Sequence, residues 1–260
     1  MHLRGVLCEP LLEGLPIGSS QWYEAQRRII VSRPLVRRTY DCWYRTLLDD
    51  ANSVPDRADA AILEIGSGGG YAKTVDPSII TSDVVAGSTD MLVDAQKLPF
   101  ADNSLRAIFL THSLHHIPDV RLFLREALRT LVSDGVVGII DIDWTPLARL
   151  LFSHDDVEEY YAVEAGAWRL DLKRRADGAN QALARIIFER DRKIFETEFP
   201  ELRIECIEHL PWLGYLCSGG VTRRNVVPTA FSGAVARLDE IARAADGLCS
   251  LHCHIRLRRQ

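Results

Sequence analysis

The sequence lacks three features that would each indicate a particular class of protein. It has no basic excess, because 36 Asp and Glu outnumber 31 Lys and Arg and the formal net charge is −5. No apolar run approaches the roughly 18 residues that span a bilayer, and the first residues lack a signal peptide's apolar centre. None of the six cysteines forms a Cys-x-x-Cys pair. We therefore expect a cytoplasmic protein with reduced thiols, no metal site, and no membrane or nucleic-acid partner.

What the sequence does have is an alternation of strand-like and helix-like segments. Short apolar runs predict strands over 60–66, 78–85, 92–95, 105–112, 136–143, 202–210 and 247–258. Apolar residues at three-four spacing predict helices over 120–131, 183–199 and 233–246, and residues 20–48 predict two helices separated at Pro34. This alternation indicates βαβ units and a mainly parallel sheet. Gly135 is predicted to cap the helix before it, and the alternating last strand is predicted to lie at an antiparallel edge.

A glycine-rich segment, "LEIGSGGGYAK" at 63–73, follows the first predicted strand. It does not fit the dinucleotide fingerprint G-x-G-x-x-G, because the third position falls on Tyr71. It does not fit a Walker loop either, because no glycine precedes Lys73. It does fit the spacing E-x-G-x-G-x-G, through Glu64, Gly66, Gly68 and Gly70. Glycine permits positive φ and close approach of a ligand, although a glycine-rich turn without any ligand is the alternative.

The residues that follow extend this pattern. Asp83 ends the second predicted strand, and "VDAQKLPFADNSLRAIFLTHSLHHIPD" occupies 93–119. Together with the glycine loop, this region resembles the class I S-adenosylmethionine (SAM)-dependent methyltransferases over residues 60–143. One departure is Arg106, where the family usually has an acid.

The resemblance implies a fold and a cofactor. The fold class would be α/β, a Rossmann-like seven-stranded sheet of order 3-2-1-4-5-7-6 with strand 7 antiparallel. The cofactor would be SAM, with Asp83 accepting from both ribose hydroxyls, Asp94 from the adenine amino group, and the Ala95 N–H donating to the ring. The implied cofactor-binding residues are Glu64, Gly66, Ser67, Gly68, Gly70, Asp83, Val84, Asp94, Ala95 and Thr111.

The acceptor chemistry is expected where the strands end, because ligands of such sheets bind beyond their carboxyl ends. His115 and His116 are predicted to be catalytic, with His115 as general base. Ser113, Asp143 and Trp144 are predicted to bind the substrate. The alternatives are that one histidine packs against the loop while the other is exposed, and that Asp143 caps a helix.

The chain is interpreted as one methyltransferase domain, 1–260, in four parts. These are an N-terminal helical cap (1–55), the SAM-binding core (60–143), a lid insertion after strand 5 (144–182) and the C-terminal part of the core (183–260). Trp144, Tyr160, Tyr161 and Trp168 would form apolar walls in the lid. The six arginines of the cap either bind an anionic acceptor or form a solvated face.

The predicted function is transfer of a methyl group from SAM to a small-molecule acceptor by in-line displacement. The acceptor would be a natural product or a glycan, as in secondary metabolism. One alternative is a non-methylating enzyme on the same fold that retains SAM or S-adenosylhomocysteine. Another is a non-catalytic binding subunit. A nucleic-acid methyltransferase is disfavoured by the lack of a basic bias and of an Asn/Asp-Pro-Pro-aromatic signature.

Overall fold

The computed structural model describes residues 8–55, 59–152, 162–170 and 179–260. Seven strands form one sheet: β1 Ala61–Ile65, β2 Ile80–Asp83, β3 Met91–Leu92, β4 Leu105–Thr111, β5 Leu131–Ile142, β6 Leu202–His209 and β7 His252–Arg259. Their order is β3-β2-β1-β4-β5-β7-β6. The first five strands pair in parallel, and β7 is antiparallel to both β5 and β6. The predicted fold class is confirmed.

Ten α-helices accompany the sheet in the described residues: α1 Ser20–Ser32, α2 Pro34–Asn52, α3 Ala72–Val75, α4 Val120–Thr130, α5 Pro146–Phe152, α6 Leu183–Arg185, α7 Arg192–Glu198, α8 Leu213–Ser218, α9 Ser232–Ala242 and α10 Asp246–Cys249. Pro34 separates α1 from α2 as predicted, because proline fits a first helical turn but not a helix interior. Asp119 caps α4 by accepting from the N–H groups of Arg121 and Leu122. None of these helices combines the length and apolarity needed to cross a membrane.

Apolar side chains cover both faces of the sheet. On one face, the helices contribute Phe123 and Phe195 to a core that includes Leu63 of β1. On the other face, α2 packs Trp43 and Leu47 against β1, β4 and β5. Burying each such side chain contributes about 1.5–3 kcal/mol. Because both faces are covered, β1, β4 and β5 consist mostly of apolar residues.

Two predictions about element boundaries were wrong. Helix α4 ends at Thr130 and β5 begins at the next residue, so Gly135 lies inside a strand rather than at a helix C-cap. Asp134, with φ of 62°, makes a local turn within that strand. The last strand is not at an edge, because β7 lies between β5 and β6. Its alternating polar residues face a partner rather than water: His254 and Arg256 contact Asp50 of α2 at 2.7 and 2.9 Å.

The helix predicted over 183–199 is interrupted near its middle. Residues Ile186–Arg190 form a π-helical turn, in which the Asp191 N–H donates to the Ile186 carbonyl at 2.8 Å. The Asp191 carboxylate accepts from the indole N–H of Trp168 at 2.9 Å. The π turn therefore lets the chain place Asp191 against the predicted lid.

Candidate active site

A cleft of about 790 Å³ opens at the carboxyl ends of the parallel strands. Its walls come from the glycine loop after β1, the segments after β2, β3 and β4, and helix α1 of the cap. Pockets that bury small organic ligands have volumes of roughly 300–1,000 Å³. The cleft is thus large enough for such a ligand and lies where this class of sheet binds its ligands.

The conformation of the glycine loop explains its spacing. Gly66, Gly68 and Gly70 have φ values of 71°, 51° and 68°, in the left-handed region that favours glycine. A Cβ at Gly66 would also lie 2.5 Å from the Cβ of Ser113. The Ser113 hydroxyl donates to the Ile65 carbonyl at 2.8 Å, so it closes the loop onto β4 rather than pointing away from it.

Asp83 fixes the glycine loop from the end of β2. Its carboxylate accepts from the Gly68 N–H at 2.9 Å and from the Val85 N–H at 3.0 Å. Beside it, Val84 is 72% exposed although it is apolar. The exposed Asp94 and the buried Ala95 line the same part of the cleft. An exposed apolar side chain and two carboxylates in one cleft suit a ligand that combines a flat ring with hydroxyl and amino donors, as a nucleoside does.

Glu64 acts from behind the loop. It is fully buried, and the Tyr44 hydroxyl of α2 donates to its carboxylate at 2.5 Å. Burial raises the pKa of Glu64, while the hydrogen bond from Tyr44 opposes that shift. Among the described residues that line the cleft, Tyr44 is present and Glu64 is not. Glu64 therefore links the cap to the loop, and its predicted cofactor contact stays a prediction.

His115, which lines the cleft, forms a buried pair with Asp141. The imidazole Nδ1 of His115 lies 2.6 Å from a carboxylate oxygen of Asp141, which also accepts from the Ile142 N–H at 2.7 Å. Burial alone would raise the pKa of Asp141, but the charge and hydrogen bond of His115 outweigh it, and the pKa is lowered. An ionised Asp141 keeps a proton on Nδ1, so the neutral ring has its lone pair on Nε2.

His116 occupies a different environment. It is exposed, lines the cleft, and has its ring 4.3 Å from that of His115. The two histidines lie in the short 3₁₀ turn Leu114–His116 directly after β4. The structure thus brings both predicted catalytic residues to the cleft, and it places His115 against the buried carboxylate of Asp141.

A third histidine, His112, shapes the same wall. It has a φ of 56°, and its ring lies 4.6 Å from His252 and 5.2 Å from Trp43. Within the described part of the chain, its Nε2 is a buried nitrogen without a hydrogen-bond partner. Burial lowers the pKa of His112 to about 4, although the charge of Asp141 acts in the opposite direction. His112 is therefore neutral near pH 7.

This shift predicts an effect on acid stability. The pKa of His112 is about 4 in the folded chain, whereas the ordinary pKa of a histidine, taken here for the unfolded chain, is 6.5. The unfolded chain therefore takes up a proton first as the pH falls, and stability is lost between those two values. His112→Asn removes this titration and tolerates the left-handed backbone. We expect the variant to lose about 1–2 kcal/mol less stability than the wild type between about pH 7 and about pH 5, measured by urea unfolding. Parallel pH curves for the two proteins would contradict the assignment.

Asp143 and Trp144 are not among the described residues that line the cleft. Asp143 is buried and its carboxylate contacts Nδ1 of His209 at 2.7 Å. It does not cap α5 either, because the hydroxyl of Thr145 accepts the Ala148 N–H there. Trp144 packs half-buried against the core. Their substrate-binding role stays a prediction without a contact to support it.

The predicted lid contributes little to the described walls. Trp168 is buried and donates to Asp191, away from the cleft lining. Tyr160 and Tyr161 lie outside the described residues. Gln181, near the end of the predicted lid, does line the cleft.

The residues that line the cleft without a role assigned from the sequence include Tyr23, Arg27 and Tyr215. Tyr23 and Arg27 of α1 cover the glycine loop: a Cβ at Gly68 would lie 3.2 Å from the Tyr23 ring, and one at Gly69 would lie 2.7 Å from Cβ of Arg27. Tyr215 of α8 forms part of the opposite wall. The arginine-rich composition of the cap was the one available signal for Arg27. Four of the other cap arginines form ion pairs: Arg28, Arg33, Arg37 and Arg38.

Comparison with known proteins gives one family match. Residues 63–139 match a family model described as a methyltransferase domain. The match begins in β1 and ends in β5, so it includes the glycine loop, Asp83 and His115.

A curated relative is the uncharacterized methyltransferase YcgJ of Bacillus subtilis (strain 168). It is 27% identical over 105 residues, which cover 33% of this chain and 42% of that protein. The chain thus aligns with less than half of that relative's length.

Two solved structures are similar over most of this chain. One is a geranyl diphosphate C-methyltransferase from Streptomyces coelicolor A3(2) with Mg²⁺, geranyl diphosphate and S-adenosyl-L-homocysteine, at 12% identity and a TM-score of 0.50, covering 98% of this chain and 90% of that one. The other is a geranyl diphosphate methyltransferase in complex with GPP and sinefungin. It has 12% identity and a TM-score of 0.50, and the match covers 90% of this chain and 83% of that one. At this identity the likeness shows the fold.

Proposed function

We propose that the chain is a class I SAM-dependent methyltransferase that methylates a small-molecule acceptor, since residues 63–139 match a methyltransferase-domain model. One observation carries the proposal: the glycine loop, Asp83 and His115, which contacts Asp141, line the same cleft. The cleft therefore has a cofactor-binding end at the glycine loop and a proton-accepting end at His115. When bound, SAM supplies an electrophilic methyl group on a sulfonium, so the protein has to position and deprotonate the acceptor.

The residues at the first end suit SAM. The two Asp83 oxygens, which already accept loop N–H groups, retain lone pairs for ribose hydroxyls. Val84 would cover the adenine face, with Asp94 and Ala95 at its edge. Arg27, beside Gly69, would pair with the carboxylate of the amino-acid end. This set fits a zwitterionic nucleoside better than a pyrophosphate, since two carboxylates line the cleft beside the loop.

The residues at the second end suit proton removal. With Asp141 holding the Nδ1 proton, the neutral His115 ring takes a proton at Nε2 from an acceptor hydroxyl or acidic carbon. Tyr40, Tyr44 and Tyr215 line the cleft nearby and favour an acceptor with a flat or apolar body. We propose a natural product or a glycan-bearing compound as acceptor, in secondary metabolism and in the cytoplasm.

Asp83 gives a test of the cofactor end. Asp83→Ala should weaken binding of S-adenosylhomocysteine about 10- to 100-fold, because a charged hydrogen-bond partner contributes about 1.5–3 kcal/mol. Part of the loss would come from the released Gly68 N–H. Asp76→Ala is a matched control, since Asp76 follows α3 and accepts from the Ser78 N–H outside the described cleft lining. Calorimetry should show unchanged affinity for the control, and equal affinities for both variants would oppose the assignment.

The activity itself is tested by methyl transfer from labelled SAM. The purified chain would be screened over phenols, glycosides and small carboxylic acids, with products identified by mass. Transfer to one of these classes supports the proposal. Tight retention of SAM with no label transferred to any acceptor would favour a non-methylating enzyme instead.

A further inference from the structure

A second group of chemically active side chains lies outside the cleft, on the β6–β7 pair. Cys206 and Glu208 belong to β6, and His254 belongs to β7 directly opposite Glu208. Their ligand atoms, namely the thiol sulfur, a carboxylate oxygen and the imidazole Nδ1, all lie within 4.8 Å of one another. Among the residues that the structure describes, this is the one such group of three potential metal ligands.

The orientation of the imidazole is fixed by a residue behind it. Asp50 of α2 contacts Nε2 of the buried His254 at 2.7 Å, and Arg256 holds Asp50 in turn at 2.9 Å. A carboxylate on one ring nitrogen directs the other towards a metal, as in carboxylate–histidine–zinc triads. The other nitrogen, Nδ1, lies 3.8 Å from the Cys206 sulfur and 4.0 Å from the Glu208 carboxylate.

We propose that Cys206, Glu208 and His254 form a binding site for a zinc ion, with Asp50 as the residue that orients the histidine. Zn²⁺ lies about 2.3 Å from sulfur and about 2.0–2.2 Å from nitrogen and oxygen, so a tetrahedral site spaces its ligand atoms by roughly 3.3–3.6 Å. The two distances from Nδ1, 3.8 and 4.0 Å, exceed this spacing by less than about 0.7 Å. The third lies within 4.8 Å and so exceeds it by at most about 1.3 Å. Glu208 can close most of this gap, because its side chain is 68% exposed and able to rotate.

The ligand types select the metal. A thiolate, an imidazole and a carboxylate together suit zinc better than Mg²⁺ or Ca²⁺, which take oxygen ligands. Three protein ligands leave the fourth position to water. Binding would release the protons of the thiol and of Nδ1. The bulge between Ile204 and Cys206 re-aims the strand at this point.

The sequence alone does not indicate this site, because its ligands lack the spacing of linear zinc motifs. Cys206 and Glu208 are two positions apart on one strand, and His254 reaches them across the sheet from a strand 46 positions further along. The prediction of no metal site considered only pairs close in sequence.

The test is calorimetric titration of the reduced, chelator-treated full chain with zinc chloride. We expect one equivalent to bind with a Kd of about 1 µM or tighter. Cys206→Ser and Glu208→Gln should each weaken binding at least about 10-fold, since each removes one of three ligands. Neither residue is buried. Cys249→Ser is the matched control, because Cys249 is also a half-buried free cysteine and lies outside the group.

Cobalt(II) provides a second readout that does not depend on activity. A thiolate ligand gives bound Co²⁺ a sulfur-to-metal charge-transfer band, and this band should be present in the wild type and in Cys249→Ser and absent in Cys206→Ser. The proposal is overturned if zinc does not bind to the wild type, if Cys206→Ser binds as tightly as the wild type, or if the cobalt spectrum lacks the band.

Discussion

Asp141→Asn is expected to lower turnover by about 10²–10⁴-fold while affinity for S-adenosylhomocysteine stays nearly unchanged. The Asp141 carboxylate lies 2.6 Å from Nδ1 of His115 and keeps the proton there. An asparagine presents either an N–H donor or a weaker acceptor, so His115 can carry its proton on Nε2 and lose its basic nitrogen towards the acceptor. The substitution removes the negative charge of the carboxylate, while the side chain keeps nearly the same volume.

His115→Ala should give a loss of similar size, and the double variant should be no worse than either single one, because the two residues act as a unit. His116→Ala is the control. The His116 ring lines the cleft but is exposed, whereas the buried histidine that contacts Asp141 is His115. The readout is the rate of methyl transfer at saturating SAM with the acceptor found in the screen. Full turnover in Asp141→Asn would remove the pair from the mechanism.

Gly68→Val is expected to weaken SAM binding by more than about 100-fold. At a φ of 51°, a β-branched residue is strained, and its Cβ would lie 3.2 Å from the Tyr23 ring. The loop or the Tyr23 ring would have to shift by a few tenths of an ångström, which weakens the hydrogen bond from the Gly68 N–H to Asp83 and changes the surface that faces the ligand. The glycine spacing alone indicates close approach of a ligand, and the structure adds the contact with Tyr23 of the cap.

Gly14→Val separates backbone strain from the effect on the cleft. Gly14 also has a positive φ, of 76°, but open space surrounds its Cβ position, and it does not line the cleft in the described residues. Both variants should lose roughly 1–2 kcal/mol of stability from the left-handed conformation. Only Gly68→Val should lose SAM affinity in calorimetry. A folded Gly68→Val protein with wild-type affinity would show that the loop does not contact the cofactor.

Much of the fold was predictable because its signals are local. The apolar runs of β1, β4 and β5 follow from burial on both faces of the sheet. The glycine spacing follows from three left-handed φ values. Asp83 could be placed because a strand end has a defined position in a βαβ unit. Each of these signals depends on a few consecutive residues.

The acceptor side was less predictable because its geometry depends on contacts between distant segments. The sequence assigned a site role to Asp143 and none to Asp141, yet Asp141 contacts His115 and Asp143 contacts His209. The strand ends at Ile142, and the Asp143 N–H donates to Leu251, so tertiary contacts set the direction of that side chain. Tyr23 and Tyr215 reach the cleft from helices nearly 200 positions apart.

The central claim is that the cleft binds SAM through the glycine loop and Asp83. Calorimetric titration of the wild-type chain with SAM, S-adenosylhomocysteine and NAD⁺ tests it most directly. We predict binding of both sulfur nucleosides with a Kd in the micromolar range, and no heat from NAD⁺ at the same concentrations. Tight binding of NAD⁺ without any response to SAM or S-adenosylhomocysteine would contradict the account.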